Sequence, residues 1–382
     1  MKIAIITTVN HNVGDDFVRE GILYLLSRHL RSSFSSALIH KHIPITVRDN
    51  FEWLYYGGIT RYLDGLHKNL GLKLTSLLDK LPLTPTKDKV ISSDLLVQSG
   101  APVYWSLPNG GGSHQTEWFD PLIRRRYLKI RDRVPFINIG AGSCQPYDSD
   151  GSEFLANAEC CAYIRELHAS CALTTVRDRL AKSILNRLQL DAPVIPCPSI
   201  FARARMNILT DEPEYLAVNY MPDGGHYDFS QIIDSQRWEK TFLAFYEQVS
   251  KKIPVVVVCH DRKELAVASK LFPGNRIFVA KNAREYLKFY SRAKFYVGCR
   301  VHAAFACASF GRPAFVIGSD TRAKMVSEIG LRSIFVNEAT LEVLLMALDE
   351  LETGRKAYSD QFEDIKQKAS VAYRDALSSV LK

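Results

Sequence analysis

Short apolar runs alternate with helical patterns along most of the chain. Lys2 to Thr8 is apolar enough for a buried strand, the Gly-containing turn NHNVGDD follows, and Phe17 to Leu30 places Val18, Ile22, Leu25 and Leu26 on one helix face. Further strand-length runs lie at Leu95 to Gln98, Pro135 to Ile139, Leu173 to Val176 and Val194 to Ile195. The proline-bearing stretch LDAPVIPCPSIFARAR closes this series. A second one has strands at Leu216 to Asn219, Val255 to Val258, Ile277 to Val279, Phe295 to Val297, Ala314 to Ile317 and Ile334 to Val336. Such alternation predicts an α/β protein with two doubly wound, Rossmann-like domains facing a cleft, residues 1–205 and 206–355. The final helical stretch, Ala357 to Leu381 within residues 356–382, is expected to pack back on the first domain. Residues 31 to 90 are less regular and read as an excursion over that domain.

Composition narrows this picture. A chain of 382 residues, 47% of them hydrophobic, can bury a core in each of two domains. No uncharged apolar run reaches the roughly 18 residues of a membrane span. The N-terminal strand meets a polar loop after seven residues, too soon for a signal sequence, so the chain reads as cytoplasmic. The eight cysteines are scattered without a C-x-x-C pair, which argues for reduced, buried thiols and not for a disulfide or zinc framework. The formal charge of +8 suggests an anionic partner. Its densest clusters, Arg124 to Arg133 and Arg203 to Met206, lack the aromatic stripe or zinc-finger spacing of nucleic-acid binders, so no nucleic-acid partner is expected. A weaker alternative is that the excess charge holds the protein peripherally at the inner face of an acidic membrane.

The segment FYVGCRVHAAFACASFGRPAFVIGSD places Arg300 and His302 where a buried strand turns into a helix. In open parallel sheets the carboxyl ends of the strands form the binding crevice, and helix starts favour anions, so Arg300, Val301 and His302 are expected around a negatively charged ligand. Asn12, Gly14, Asp15 and Asp16 occupy the corresponding turn of the first sheet. They do not form a dinucleotide fingerprint, and an aspartate there is equally a helix cap. Arg177 ends another strand, placed either for an anion in two-pronged geometry or for an ion pair with Asp178 or another nearby acid. His114, His226 and His260 are second-rank candidates in loops. His40 and His42 share a strand face without further ligands, and no metal site is expected.

Together NVGDDFVREGI, TTVRDRLAKSIL and YVGCRVHAAFACASFGRPAFVIGSDTRAKMVSEIGL resemble the polysaccharide pyruvyltransferase family. The R-x-H helix start, G-x-P, an apolar strand, then Asp320 and Lys324 carry most of that likeness. The resemblance implies a GT-B-like fold, no cofactor, phosphoenolpyruvate as donor substrate, and a sugar or glycan acceptor, lipid-linked or soluble, in polysaccharide biosynthesis of the cell envelope. Ketal formation is its usual outcome. It departs from the family pattern at QSGAPVYW and CPSIF, both on the acceptor side. Histidine suits proton delivery to the donor's methylene carbon at neutral pH, so His302 is the expected general acid and Arg300 the expected anion holder. Asp15 or Asp16 is the expected base. Arg177, Asn12, Gly14, His114, His260, Asp320 and Lys324 complete the expected binding set. The competing readings are a GT-B glycosyltransferase using a nucleotide sugar and a noncatalytic sugar-binding relative.

Overall fold

The computed structural model describes residues 1–8, 12–30, 33–40, 47–48, 92–115, 134–227 and 229–381. His42, the Arg124 to Arg133 cluster and most of the 31–90 region lie outside them. The first half contains β1 (Lys2–Thr7), α1 (Val13–Leu30), β2 (Ser35–His40), β3 (Val47–Arg48), β4 (Leu95–Ser99), β5 (Pro102–Tyr104), β6 (Phe136–Ser143), α2 (Ser152–Ala156), α3 (Ala158–Ser170), β7 (Leu173–Val176), α4 (Arg179–Arg187) and α5 (Ala202–Met206). Its sheet runs β3-β2-β1-β4-β6, with β5 and β7 both pairing to β6; β3 is antiparallel to β2 and the other pairs are parallel.

The second half contains β8 (Tyr215–Asn219), α6 (Ser235–Ser250), β9 (Val255–Val258), α7 (Arg262–Leu271), β10 (Ile277–Phe278), α8 (Ala283–Ser291), β11 (Ala293–Gly298), α9 (Val301–Ser309), β12 (Ala314–Gly318), β13 (Arg332–Phe335), α10 (Leu341–Thr353) and α11 (Arg355–Ser378). Its strand order is β10-β9-β8-β11-β12-β13, parallel throughout. The order reverses between β8 and β11, which opens a crevice beyond their carboxyl ends. The first sheet reverses in the same sense between β1 and β4.

Three strands, β2, β3 and β5, lie outside the predicted series, although His40 at the end of β2 was read on a strand face. Conversely, Val194 to Ile195 forms no strand: Val194 makes one isolated bridge to Val176, because the prolines around it remove ladder donors. The expected strands of the second half all form, within a residue or two of their predicted ends.

Helix α1 begins earlier than predicted. The Asn12 side chain accepts the Gly14 N–H at 3.0 Å, so Asn12 is the cap, and Asp15 and Asp16 occupy the favourable first turn. Helix α9 is apolar all round, and Ala303 to Ser309 are all buried. Such a helix belongs between layers. Here α1 and α9 share one hydrophobic cluster that runs from Ile3 and Ile5 of the first sheet to Ala217 and Tyr296 of the second. Phe17 meets Tyr290 edge-on at 6.4 Å, and Tyr24 stacks on Phe201 at 5.8 Å. The outer face of each sheet has its own cluster.

Helix α11 crosses back to the first half. Its Tyr373 hydroxyl donates to the Pro196 carbonyl at 2.9 Å, and the Leu381 carbonyl lies 3.2 Å from His29 Nε2. Among the described residues no helix is long and apolar enough to cross a membrane. All eight cysteines are free thiols.

Tyr373 is fully buried, so its ring and its hydroxyl can be weighed separately. Tyr373→Phe should cost about 1–2 kcal/mol through the unsatisfied carbonyl. Tyr373→Ala should cost about 3–5 kcal/mol through the cavity. Urea unfolding of both variants checks the difference; equal losses would show that α11 is held by the hydrogen bond alone.

Candidate active site

The carboxyl ends of β6, β7, β8 and β11 bring together side chains that are far apart in sequence. Arg177 follows β7 and is almost fully buried. Its guanidinium lies over Gly142, where a Cβ would come within 2.5 Å of Nε. The neighbouring Asp178 does not pair with it. Asp178 caps α4 through the Ala181 N–H at 2.8 Å and accepts the Ser143 N–H at 2.7 Å, so Asp178 is committed elsewhere. Arg177 Nη1 instead reaches His302 Nε2 at 3.4 Å and Cys197 Sγ at 3.9 Å, while Nε–H has no partner. It makes no ion pair with a carboxylate among the described residues. A buried cation in that condition is poised for an anion.

His302 stands on the first turn of α9 and faces Arg177 across the two halves. A guanidinium only donates, so His302 Nε2 accepts and the neutral ring carries its proton on Nδ1. Burial first, then the Arg177, Arg322 and Arg300 charges, hold its pKa well below the ordinary 6.5. The first turn of α1 presses on the ring: a Cβ at Gly14 would lie 2.4 Å from His302 Nδ1. Only glycine fits there. The N-cap position of α9 is Arg300, whose side chain makes no capping bond, so the first N–H groups of the helix keep their capacity for an anion.

Arg300 differs from expectation. Its guanidinium donates to Glu264 at 2.6 Å, to Asp261 at 3.0 Å and to His226 Nε2 at 2.6 Å. Burial works against its charge, but Glu264 and Asp261 more than offset this and raise its pKa. The sequence placed Arg300 and Arg177 together as anion holders; two carboxylates from α7 already neutralise Arg300, while Arg177 has no carboxylate partner among the described residues. Those carboxylates were missed, although DRKE at 261–264 carries a capping-box spacing. Asp261 does cap α7, and Glu264 accepts the His260 N–H at 2.8 Å and the Asn219 amide at 2.9 Å.

Asp16 is also corrected. It is fully buried and paired with Arg19, so its carboxylate cannot meet a sugar hydroxyl. Asp15 is half-buried and accepts the Thr8 hydroxyl at 2.9 Å, beside Asn12 and Gly14. His260 points into the core, with Nε2 2.6 Å from the Tyr290 hydroxyl; burial first, then Arg300 and His302, push its pKa well down. His114 makes its polar contacts with Cys160 Sγ at 3.2 Å and Glu159 at 2.9 Å, away from Arg177 and His302. Asp320 is gripped by Arg322 through two bonds of 2.8 and 2.6 Å, and Lys324 pairs with Asp148 at 2.8 Å. Arg322 was also missed. Between them Thr321 stitches the halves: its N–H donates to the Gln145 carbonyl at 2.9 Å and its hydroxyl accepts the Gln145 N–H at 3.0 Å. Among the described residues no three His, Cys, Asp or Glu side chains are grouped to hold a metal ion.

The family model described as polysaccharide pyruvyl transferase matches residues 12–321, which span Asn12, Arg177, Arg300, His302 and Asp320. The chain belongs to that family. No curated protein matches the pyruvyl transferase sequence. Its solved structural neighbours include UDP-GlcNAc 2-epimerase from Neisseria meningitidis bound to UDP-GlcNAc, with 10% identity, a TM-score of 0.53 and 100% of both chains covered. The S. aureus MnaA–UDP co-structure aligns with 12% identity and a TM-score of 0.50, covering 95% of this chain and 91% of that one. UDP-GlcNAc 2-epimerase from Methanocaldococcus jannaschii aligns with 11% identity and a TM-score of 0.50 over 92% of each chain. These likenesses show the fold, which is GT-B-like.

His260 and His302 are both held below 6.5, so the unfolded chain binds protons there that the folded chain refuses. Their stabilising contribution is complete above 6.5 and is lost as pH falls toward the lowered folded values. Melting temperature should therefore drop between pH about 8 and about 5, and His302→Gln should flatten that drop. An identical pH profile in the variant would mean that His302 takes up protons alike in the folded and unfolded chain.

Proposed function

We propose that this pyruvyl transferase moves pyruvate from phosphoenolpyruvate onto two hydroxyls of a sugar acceptor, forming a ketal and releasing phosphate. The observation that carries this reading is Arg177, a buried guanidinium with no carboxylate partner among the described residues, in contact with the imidazole of His302 and close to the uncapped start of α9. Phosphoenolpyruvate offers a phosphate and a carboxylate on one small frame. Arg177 and the N–H groups of Val301 and His302 would hold these anions, while Arg300, locked to Asp261 and Glu264, positions the helix start.

The low pKa of His302 gives the step an order. In the free protein the ring is neutral, because burial and three arginines oppose its charge. Donor anions offset those arginines and raise the His302 pKa, so the acid is loaded as the donor binds. His302 then protonates the methylene carbon, which leaves a cationic centre at C2. An acceptor hydroxyl attacks C2, with its proton passing to Asp15. The C2–O bond to phosphate breaks, and a second hydroxyl attacks the cation so formed. Of the two acceptor protons, one replaces the proton given to the methyl group and the other leaves with phosphate. The chemistry as written uses no metal or organic cofactor.

Two measurements test this. Phosphoenolpyruvate should stabilise the protein by about 2.7 kcal/mol at a hundredfold excess over Kd, whereas UDP and GDP should not. Stabilisation by a nucleotide alone would select the glycosyltransferase reading, and stabilisation by none would favour a noncatalytic relative. Calorimetry in buffers of different ionisation enthalpy should show proton uptake on donor binding at neutral pH, tightening as pH falls. His302→Gln should abolish the uptake and slow phosphate release by roughly 100-fold or more. Arg177→Lys should lose donor affinity while remaining folded, since lysine lacks the planar fork. Donor binding without proton uptake in the wild type would remove His302 as the acid.

A further inference from the structure

A second hollow lies next to His302's surroundings and is not used by the donor chemistry above. It is a cavity of about 560 Å³ between the turn at Pro108 and Asn109 in the first half and the loop carrying Asp223, His226 and Tyr227 in the second. Two contacts tie it to the anion site. His226 Nε2 accepts from Arg300 Nη1, and the Arg322 guanidinium lies 5.1 Å from the centre of the Tyr227 ring. The loop is built and held. Ser319 Oγ donates to the Tyr227 carbonyl at 3.0 Å, and Phe229 and Ser230 turn the chain with φ of 52° and 61°, the left-handed region that non-glycine residues rarely adopt.

We propose that this cavity is the subsite for a neutral sugar ring of the acceptor. Its chemistry decides the class. Among the described lining residues the formal charge is the Asp223 carboxylate, which disfavours a phosphate or nucleoside diphosphate. His226 Nε2 accepts from Arg300 Nη1, which fixes the imidazole at the edge of the cavity. Tyr227 is 51% exposed, so its ring is accessible from the cavity, and it is held by Arg322 and by the His226 and Phe229 rings. An aromatic platform beside a carboxylate, an amide and a hydrogen-bonding imidazole matches a pyranose, which has apolar C–H faces and hydroxyl edges. Asp223 Oδ1 accepts the Ser235 hydroxyl at 2.5 Å, which orients the carboxylate and leaves Oδ2 for a sugar hydroxyl.

The assignment rests on the pyruvyl-transfer reading only for calling the sugar an acceptor; binding of a sugar there can be tested without turnover. Saturation-transfer NMR would be recorded on the whole chain with methyl mannoside, methyl galactoside and methyl N-acetylglucosaminide, and with UDP as competitor. At least one glycoside should receive saturation in the wild type. The signal should disappear in Tyr227→Ala, persist in Tyr227→Phe, which keeps the ring, and weaken in Asp223→Asn. In phosphate-release assays Asp223→Asn should raise the acceptor KM about tenfold with the phosphoenolpyruvate KM unchanged. The proposal is overturned if no glycoside receives saturation, if Tyr227→Ala binds it normally at an unchanged melting temperature, or if UDP displaces it and depends on Tyr227 to the same degree. Glycoside binding with no phosphate release from phosphoenolpyruvate would sink the donor reading and leave the cavity assigned.

Discussion

Arg177 carries the constraint on which the rest of the site depends. Removing a guanidinium from water costs several kcal/mol unless an opposite charge and hydrogen bonds offset it. Here the adjacent Asp178 is committed to the α4 cap and to Ser143, and the contacts of Nη1 are a sulfur and an imidazole. The fold tolerates this because Gly142 lets the side chain lie flat against β6 and because the shared core of α1 and α9 supplies stability elsewhere. The imbalance is local, and under the proposed reading the charge of a small anion would offset a desolvation cost already paid in folding.

The second arginine shows what balance looks like. Arg300 is as buried as a charged residue usually becomes, yet it is matched by Asp261, Glu264 and the His226 lone pair. Replacing one member of that group would leave an uncompensated charge, so the cluster is rigid in the sense that no part can leave cheaply. Rigidity there fixes the entry of α9 and with it the position of His302. One arginine is thus open to ligand and the other holds the frame.

Much of the location of the site was legible in the sequence, because parallel sheets put the ends of successive strands on one edge. Apolar runs ending in Gly298 and at Val176 were enough to place Arg300, His302 and Arg177 there. The state of each charge was not legible. Whether Arg300 or Arg177 is paired depends on Asp261 and Glu264, which β9 delivers from 36 to 39 positions away. Asp15 and Asp16 are neighbours in sequence with similar helix-start signals, yet Arg19 covers one and leaves the other at the edge. The strand expected at Val194 to Ile195 failed for a similar reason: hydrophobicity was read correctly, but proline decides which backbone donors remain.

The way the halves are joined limits how substrates can arrive. At the floor of the cleft Phe17, Tyr24 and the buried face of α9 form continuous core with residues of both sheets, and opening there would expose apolar area at about 25 cal/mol per Å². One flank is held by Thr321 on Gln145 and by Tyr147 near Ser333 at 3.2 Å. Among the described residues the 107–109 turn of the first half and the loop carrying Asp223, His226 and Tyr227 of the second face each other across the cavity. On the proposed pyruvyl-transfer reading, a large acceptor would present its reactive hydroxyls from that side, past Arg300 and Arg322, and a polymer or carrier-linked precursor would stay outside the cleft while its terminal sugar alone enters.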